Sequence, residues 1–187
     1  MADSHVTTSL RRTAPIAPNV DRPGLSLHVE LGLGVAKLRI YGPDADARFS
    51  AILGIAPPSA REQADASGLT IAWLAPGEWM ATGPEAEVAD WVARLDNAGD
   101  EDALAIDFTH ARTAFVLAGT AARAAIASHC PLDLWPDVFP VSAVARSLLG
   151  DTGMFIARLA DNEDGPRFRI IVDQTMAAYA ARMLAGA

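Results

Sequence analysis

Four stretches of the chain bring together side chains that could do chemistry. In "DFTHART" (107–113), Asp107, Thr109, His110 and Arg112 fall within six residues. An acid, a hydroxyl and an imidazole are the parts of a nucleophile–base–orienter chain, which works only when base and orienter are within hydrogen-bond reach. If the segment is extended, Asp107 and Thr109 point one way and His110 and Arg112 the other, so structural or interface roles are favoured. "SHCPLDLWPD" (128–137) combines His129, Cys130, Asp133, Trp135 and Asp137. A metal site needs several converging ligands, yet Pro131 breaks the segment and no second Cys/His cluster exists. His129 suits a helix C-terminus, and Cys130 suits a small residue packed beneath that end. "LGLGVAK" (31–37) offers Gly32 and Gly34, but Lys37 stands where the dinucleotide fingerprint needs its third glycine, and the glycines join two strands.

The fourth stretch, "TIAWLAPGEWMATGP" (70–84), carries Trp73 and Trp79 on either side of Pro76-Gly77. A type II turn there sets Ala75 opposite Glu78, Leu74 opposite Trp79 and Trp73 opposite Met80. The two indoles then lie on opposite faces of a hairpin, one in the core and the other beneath a helix or another protein, as an interface anchor. His5 and His28, and the acids Glu85/Glu87 and Asp161/Glu163/Asp164, read as solvated charge. No catalytic residue and no metal site emerges from these patterns.

The elements that must position these residues follow from periodicity. Residues 1–24 are polar, hold three prolines and read as a flexible N-terminal arm. "LSLHVEL" (25–31) and "AKLRIYG" (36–42) alternate apolar and polar residues as half-buried strands do. "DADARFSAILGI" has helical spacing, with Asp44 as N-cap and Gly54 as stop. "GLTIAWL" and "EWMATG" form a hairpin. "EAEVADWVARL" (85–95) is an amphipathic helix with acids in its first turn and Arg94 in its last. "DALAIDF" (102–108) closes the set as a strand. The order then recurs: strand "TAFVLAG" (113–119), helix "TAARAAIASHC", strands "VARSLLG", "GMFIARLA" and "RFRIIVD", helix "TMAAYAARML".

This recurrence predicts an α+β fold of two tandem ferredoxin-like (split βαβ) repeats with antiparallel sheets, over 25–110 and 111–187, forming one compact unit. The second repeat lacks a counterpart of strand 102–108 within its own stretch. The strand 25–31 is expected to fill that vacancy and tie the halves together.

Bulk properties bound the function classes. At 187 residues and 51% apolar content, the chain is long enough to bury roughly 70% of its unfolded surface. A formal charge of −8, with no basic cluster, argues against nucleic acid. Lys37 is the only lysine among fifteen basic residues, and Cys130 the only cysteine. The start has no apolar leader and no run is long enough for a membrane span. A cytoplasmic protein is expected.

Taken in order, "AKLRIYG", "LGIAPP", "IAWLAPGEWMATGP", "IDFTHART", "LAGTAARAAIASHCPLDL", "FPVSAVARSLL", "MFIARL" and "FRIIVDQTMAAYAARML" resemble the gamma subunit of heterotetrameric sarcosine oxidase over about residues 25 to 185. "CPLDL" and "WLAPGEW" carry most of the likeness. The sequence departs from the family where "APGEWM" stands for "GPDEWL" and where Thr109 replaces a serine. The resemblance implies the folate-binding fold of the glycine-cleavage aminomethyltransferase. It also implies a small non-catalytic, structural subunit of a flavin-containing complex that oxidatively demethylates sarcosine to glycine, with tetrahydrofolate as one-carbon acceptor. On that reading FAD, FMN and NAD sit on partner subunits, the partners are the alpha, beta and delta subunits, and this chain binds no cofactor of its own. The interface candidates are Trp73, Trp79 and Trp135. The alternative is a stand-alone folate-binding, aminomethyltransferase-like protein, with Asp107, His110 and Arg112 as folate candidates.

Overall fold

The computed structural model describes residues 17 and 19–186. Regular structure begins earlier than the sequence pattern suggests, because Val20–Arg22 forms β1 and pairs with β2 (Leu25–Val29). Of the expected arm, residues 1–16 and 18 lie outside the described residues, His5 among them. β3 (Leu33–Ile40), α1 (Ala45–Leu53), β4 (Gln63–Ala66), β5 (Leu69–Ala75), β6 (Glu78–Pro84), α2 (Glu85–Asn97) and β7 (Ala103–Asp107) follow. After a short 3₁₀ turn, Thr109–Ala111, come β8 (Arg112–Ala118), α3 (Ala122–Ala127), β9 (Val144–Leu149), β10 (Thr152–Asn162), β11 (Gly165–Asp173) and α4 (Ala177–Ala185).

These strands make two antiparallel sheets. One has the order β4-β5-β6-β3-β7, the other β1-β2-β8-β11-β10-β9. Set side by side, β9-β10-β11-β8-β2 repeats β4-β5-β6-β3-β7 strand for strand. β2 therefore occupies in the second sheet the place that β7 takes in the first, antiparallel to β8 with Leu27 opposite Leu117. The N-terminal strand fills the vacancy left by the second repeat.

Alternation sorts the side chains into layers. Even-numbered residues of β3, Leu38 and Ile40 among them, join Trp79, Ala81, Phe49, Val88, Trp91 and Leu95 in a core beneath α1 and α2. Val88, Trp91 and Leu95 recur at helical spacing, which is why α2 buries that one face. Leu27, Phe115, Leu117, Phe168 and Ile170 pack against Ile126, Ala180 and Leu184 beneath α3 and α4. A third core lies between the sheets, where Leu33, Val35 and Met80 meet Phe155, Val144 and Ile171. The layers thus run helices, sheet, sheet, helices. At one side the sheets are also stitched by backbone, Gln63 N–H donating to Ser142 C=O and Val144 N–H to Arg61 C=O, at 2.9 and 2.8 Å.

Local details differ from expectation in three places. Asp44 precedes α1 but its side chain makes no capping hydrogen bond. α3 spans six residues, so His129 and Cys130 lie beyond its end. The hairpin turn is as expected, Ala75 facing Glu78 across Pro76-Gly77, and Gly77 has φ +71°, the left-handed value that a type II turn needs. A Cβ there would sit 2.6 Å from the Ile40 carbonyl oxygen. A bulge between Trp73 and Ala75, however, shifts the register by one, and Trp73 pairs with Trp79 instead of Met80. An extra residue on one strand turns every later side chain to the other face. Both indoles consequently face α1 and α2.

Candidate functional site

Between the two sheets a groove of about 730 Å³ opens, with Lys37, Phe108 and Arg112 on one part of its wall and Arg146, Ser147 and Asp173 on another. Its electrostatics begin with Glu78. That residue follows the turn into β6, in register with Arg39 and one strand away from Lys37. Its carboxylate is only 9% exposed and meets Lys37 Nζ at 2.7 Å, Arg39 Nη1, and Arg146 Nη1 from the other sheet at 3.6 Å. Burying a lone carboxylate would be costly, and three cations offset that cost. The hydrogen bond from Lys37, reinforced by the charges of Lys37, Arg39 and Arg146, outweighs burial and holds the Glu78 carboxyl below the usual carboxylate range.

A second anchored acid, at the end of β11, lines the groove from the other sheet. Asp173 accepts hydrogen bonds from the Thr175 hydroxyl at 2.7 Å and the Thr175 amide at 3.0 Å, and pairs with Arg112 Nη1 at 2.9 Å. The Thr175 hydroxyl, then the Thr175 amide and Arg112, lower its pKa. Arg112 also stacks over Phe108, 5.1 Å from the ring centre. Among its described lining residues the hydroxyls are those of Ser147 and Thr152, and no His or Cys is present. Its chemistry is that of paired cations beside apolar walls, suited to holding an anion or a neighbouring protein surface.

The structure divides the cluster Asp107, His110 and Arg112. The segment is not extended: Thr109–Ala111 turns as a 3₁₀ helix, and the Asp107 carboxylate accepts the Thr109 amide at 2.7 Å. Thr109 is buried and its hydroxyl accepts the Val35 amide at 3.0 Å, a link between the turn and β3. His110 is exposed, and of the three folate candidates Arg112 alone lines the groove. His28 pairs with Asp21 of β1 at 2.8 Å. Among the described residues no group of three or more His, Cys, Asp or Glu could share a metal ion, and no helix is long and apolar enough to cross a membrane.

Of the three tryptophans expected at an interface, Trp79 is excluded by burial: it is fully enclosed, 4.6 Å from Phe49 between ring centres. Trp73 is half-buried against the same core. Trp135 is 71% exposed, and Val138 and Val141 beside it are exposed too. Its loop is fixed from below, because Leu134 and Phe139 are buried in the second repeat's core. Arg123 Nε donates to the Leu134 carbonyl at 3.1 Å, Asp133 accepts the Trp135 amide at 3.0 Å, and Phe139 N–H donates to Trp135 C=O at 2.7 Å. The Glu78 cluster escaped the sequence reading. Its signal was the alternation of "AKLRIYG", which places Lys37 and Arg39 on one face and demands a carboxylate opposite them.

Two split βαβ repeats stacked sheet to sheet define the folate-binding fold of the aminomethyltransferases. The glycine cleavage system aminomethyltransferase T from Bartonella henselae superposes with a TM-score of 0.66 at 17% identity, over 88% of this chain and 46% of that one. A chain of the heterotetrameric sarcosine oxidase from Corynebacterium sp. U-96, in complex with pyrrole 2-carboxylate, superposes with a TM-score of 0.74 at 23% identity, over 89% of this chain and 85% of that one. These identities establish the fold. The sequence itself matches the sarcosine oxidase, gamma subunit family over residues 41–187, so the chain belongs to that family and its role is that of a gamma subunit. No curated protein sequence matches it.

Proposed function

We propose that this chain is the small, non-catalytic gamma subunit of a cytoplasmic, flavin-containing heterotetramer that oxidatively demethylates sarcosine to glycine. The alpha, beta and delta subunits are its partners; FAD, FMN and NAD are held by them, and tetrahydrofolate accepts the one-carbon unit. The observation that carries this reading is Trp135. An exposed, rigidly seated indole, with Val138 and Val141 of the same loop also exposed, is the residue type that dominates protein interfaces.

The test is co-purification of the tagged full-length chain with its partners, read by the visible flavin spectrum. Yellow partners of larger size are expected, and Trp135→Ala should reduce their recovery. A colourless chain purified alone would overturn the proposal. The cations of the groove favour a second reading, a stand-alone protein that binds a folate carboxylate, with Arg112 nearest to it and Asp107 and His110 in lesser parts. Saturable tetrahydrofolate binding to the isolated chain, weakened by Arg112→Ala, would support that alternative.

A further inference from the structure

The two sheets match strand for strand except at one place. In the second sheet β2 is covered on its outer edge by β1, whereas in the first sheet the equivalent strand, β7, ends the sheet. Among the described residues nothing pairs with its outer edge. The hydrogen bonds from Tyr41 N–H to Asp102 C=O at 2.9 Å and from Phe108 N–H to Val35 C=O at 2.7 Å fix the phase of the ladder. Even-numbered residues of β7 bond to β3, so Ala105 directs both its N–H and its C=O outward, joined by the Ala103 carbonyl.

The side chains on that strand are not those of a protected edge. Natural edges are blunted by lysine, proline or inward charge, but β7 reads Ala-Leu-Ala-Ile-Asp. Leu104 is 47% exposed and Ile106 40%, and they lie on the sheet face that carries Lys37 and Arg39. On the opposite face Ala103, Ala105 and Val92 are only partly buried against the core.

We infer that β7 is an acceptor for an antiparallel strand donated by a partner subunit of the oxidase, a segment with apolar side chains at alternate positions and basic residues at its ends. This rests on the gamma-subunit reading. Charge selects the occupant. Glu101 and Asp107 bracket the strand, Asp102 beside them being paired with Arg48 at 3.2 Å, and the chain as a whole carries −8. Two copies paired antiparallel through β7 would bring Asp107 of each towards Glu101 of the other, which like-charge repulsion opposes. A donated strand with flanking Arg or Lys meets the same acids favourably, and its backbone takes up the Ala105 groups as β-addition does elsewhere.

Site-resolved hydrogen exchange on the wild-type chain, alone and in the intact complex, tests this directly. The Ala105 amide should exchange about a hundredfold more slowly in the complex, while Leu104 and Ile106, already bonded to β3, serve as internal references. Ala105→Pro removes only an outward donor, so it should lower recovery of partner subunits about tenfold and leave the isolated chain's melting cooperative. An Ala105 amide equally fast in the complex overturns the proposal and leaves the gamma-subunit reading standing. A wild-type chain that captures no flavin-bearing partner overturns both. Protection that appears in the isolated chain as its concentration rises assigns the edge to a second copy and also overturns it.

Discussion

The two halves share a plan and differ in how each is completed. The first takes all five of its strands from one continuous stretch, β3 through β7, and rests on a thirteen-residue helix and two large indoles, Trp79 and Trp91. The second borrows β2 and β1 from the opposite end of the chain, has a six-residue α3, and fills its core with small residues such as Ala122, Ala177, Ala180 and Ala181 beside Phe115, Phe139 and Phe168. One half is complete in sequence and open at its edge, while the other is incomplete in sequence and closed at its edge. The difference teaches that the unit of stability is the pair of sheets, because neither the borrowed strand nor the core between the sheets survives in a half alone.

The sharpest way to break that comparison is deletion of residues 1–32. Loss of β1 and β2 strips Leu25 and Leu27 from the second core and exposes the β8 edge. The expected cost is comparable to the whole net stability, roughly 5–15 kcal/mol. The truncated chain should aggregate or show no cooperative melt by circular dichroism; a soluble, cooperatively melting product would refute the shared-unit view. Next in size, Trp79→Ala should destabilise by about 3–5 kcal/mol in chemical denaturation, since it empties the centre of the first core. Phe168→Ala, its counterpart beneath α3 and α4, should cost a similar amount, and a single transition in both variants would confirm that the sheets melt together.

A smaller effect is expected at the inter-sheet ion cluster. Glu78→Gln should cost about 2 kcal/mol, less than a fully buried pair because its cationic partners remain partly in water. The sign of the pH dependence follows from its lowered pKa. The contribution is present above the unfolded value, about 4.3, and is lost as pH falls through the lower folded value. Wild type should therefore lose stability over that acid range more steeply than Glu78→Gln, a difference visible in melts between neutral pH and about pH 3. Asp173 acts in the same direction, so part of the slope should persist in the variant. Smallest in stability is Trp135→Ala, expected within about 0.5 kcal/mol of wild type. The same change should weaken assembly by about 2 kcal/mol, roughly thirtyfold, in a titration against partner subunits.

Much of this architecture was legible because alternation and helical spacing are strong in β3, β5, β10, α2 and α4, and because the element order visibly recurs. The place of β2 followed from counting strands against that recurrence. β4, "QADA", went unseen because its four residues include no large apolar side chain. β1 was hidden in a polar stretch, and of its own three residues Val20 is the apolar one that packs inward. The bulge at the hairpin left no trace in residue types, and its effect was to reverse the side on which Trp73 lies. At the site, Trp135 carried a signal in its own residue type, whereas the signal for Glu78 lay in the alternation of Lys37 and Arg39, and its third partner, Arg146, is brought near only by the stacking of the sheets.

The borrowed strand also sets a timetable. β2 leaves the ribosome before anything it can pair with except β1, and the first residue of its other partner, β8, follows eighty-three positions after Val29. At typical elongation rates that is on the order of ten seconds. During that interval Leu25 and Leu27 have no core to enter, while all five strands of the first sheet have already been made. The order of synthesis thus makes the finished first sheet a platform on which the second assembles, and makes the waiting hairpin the segment that a chaperone has most reason to hold.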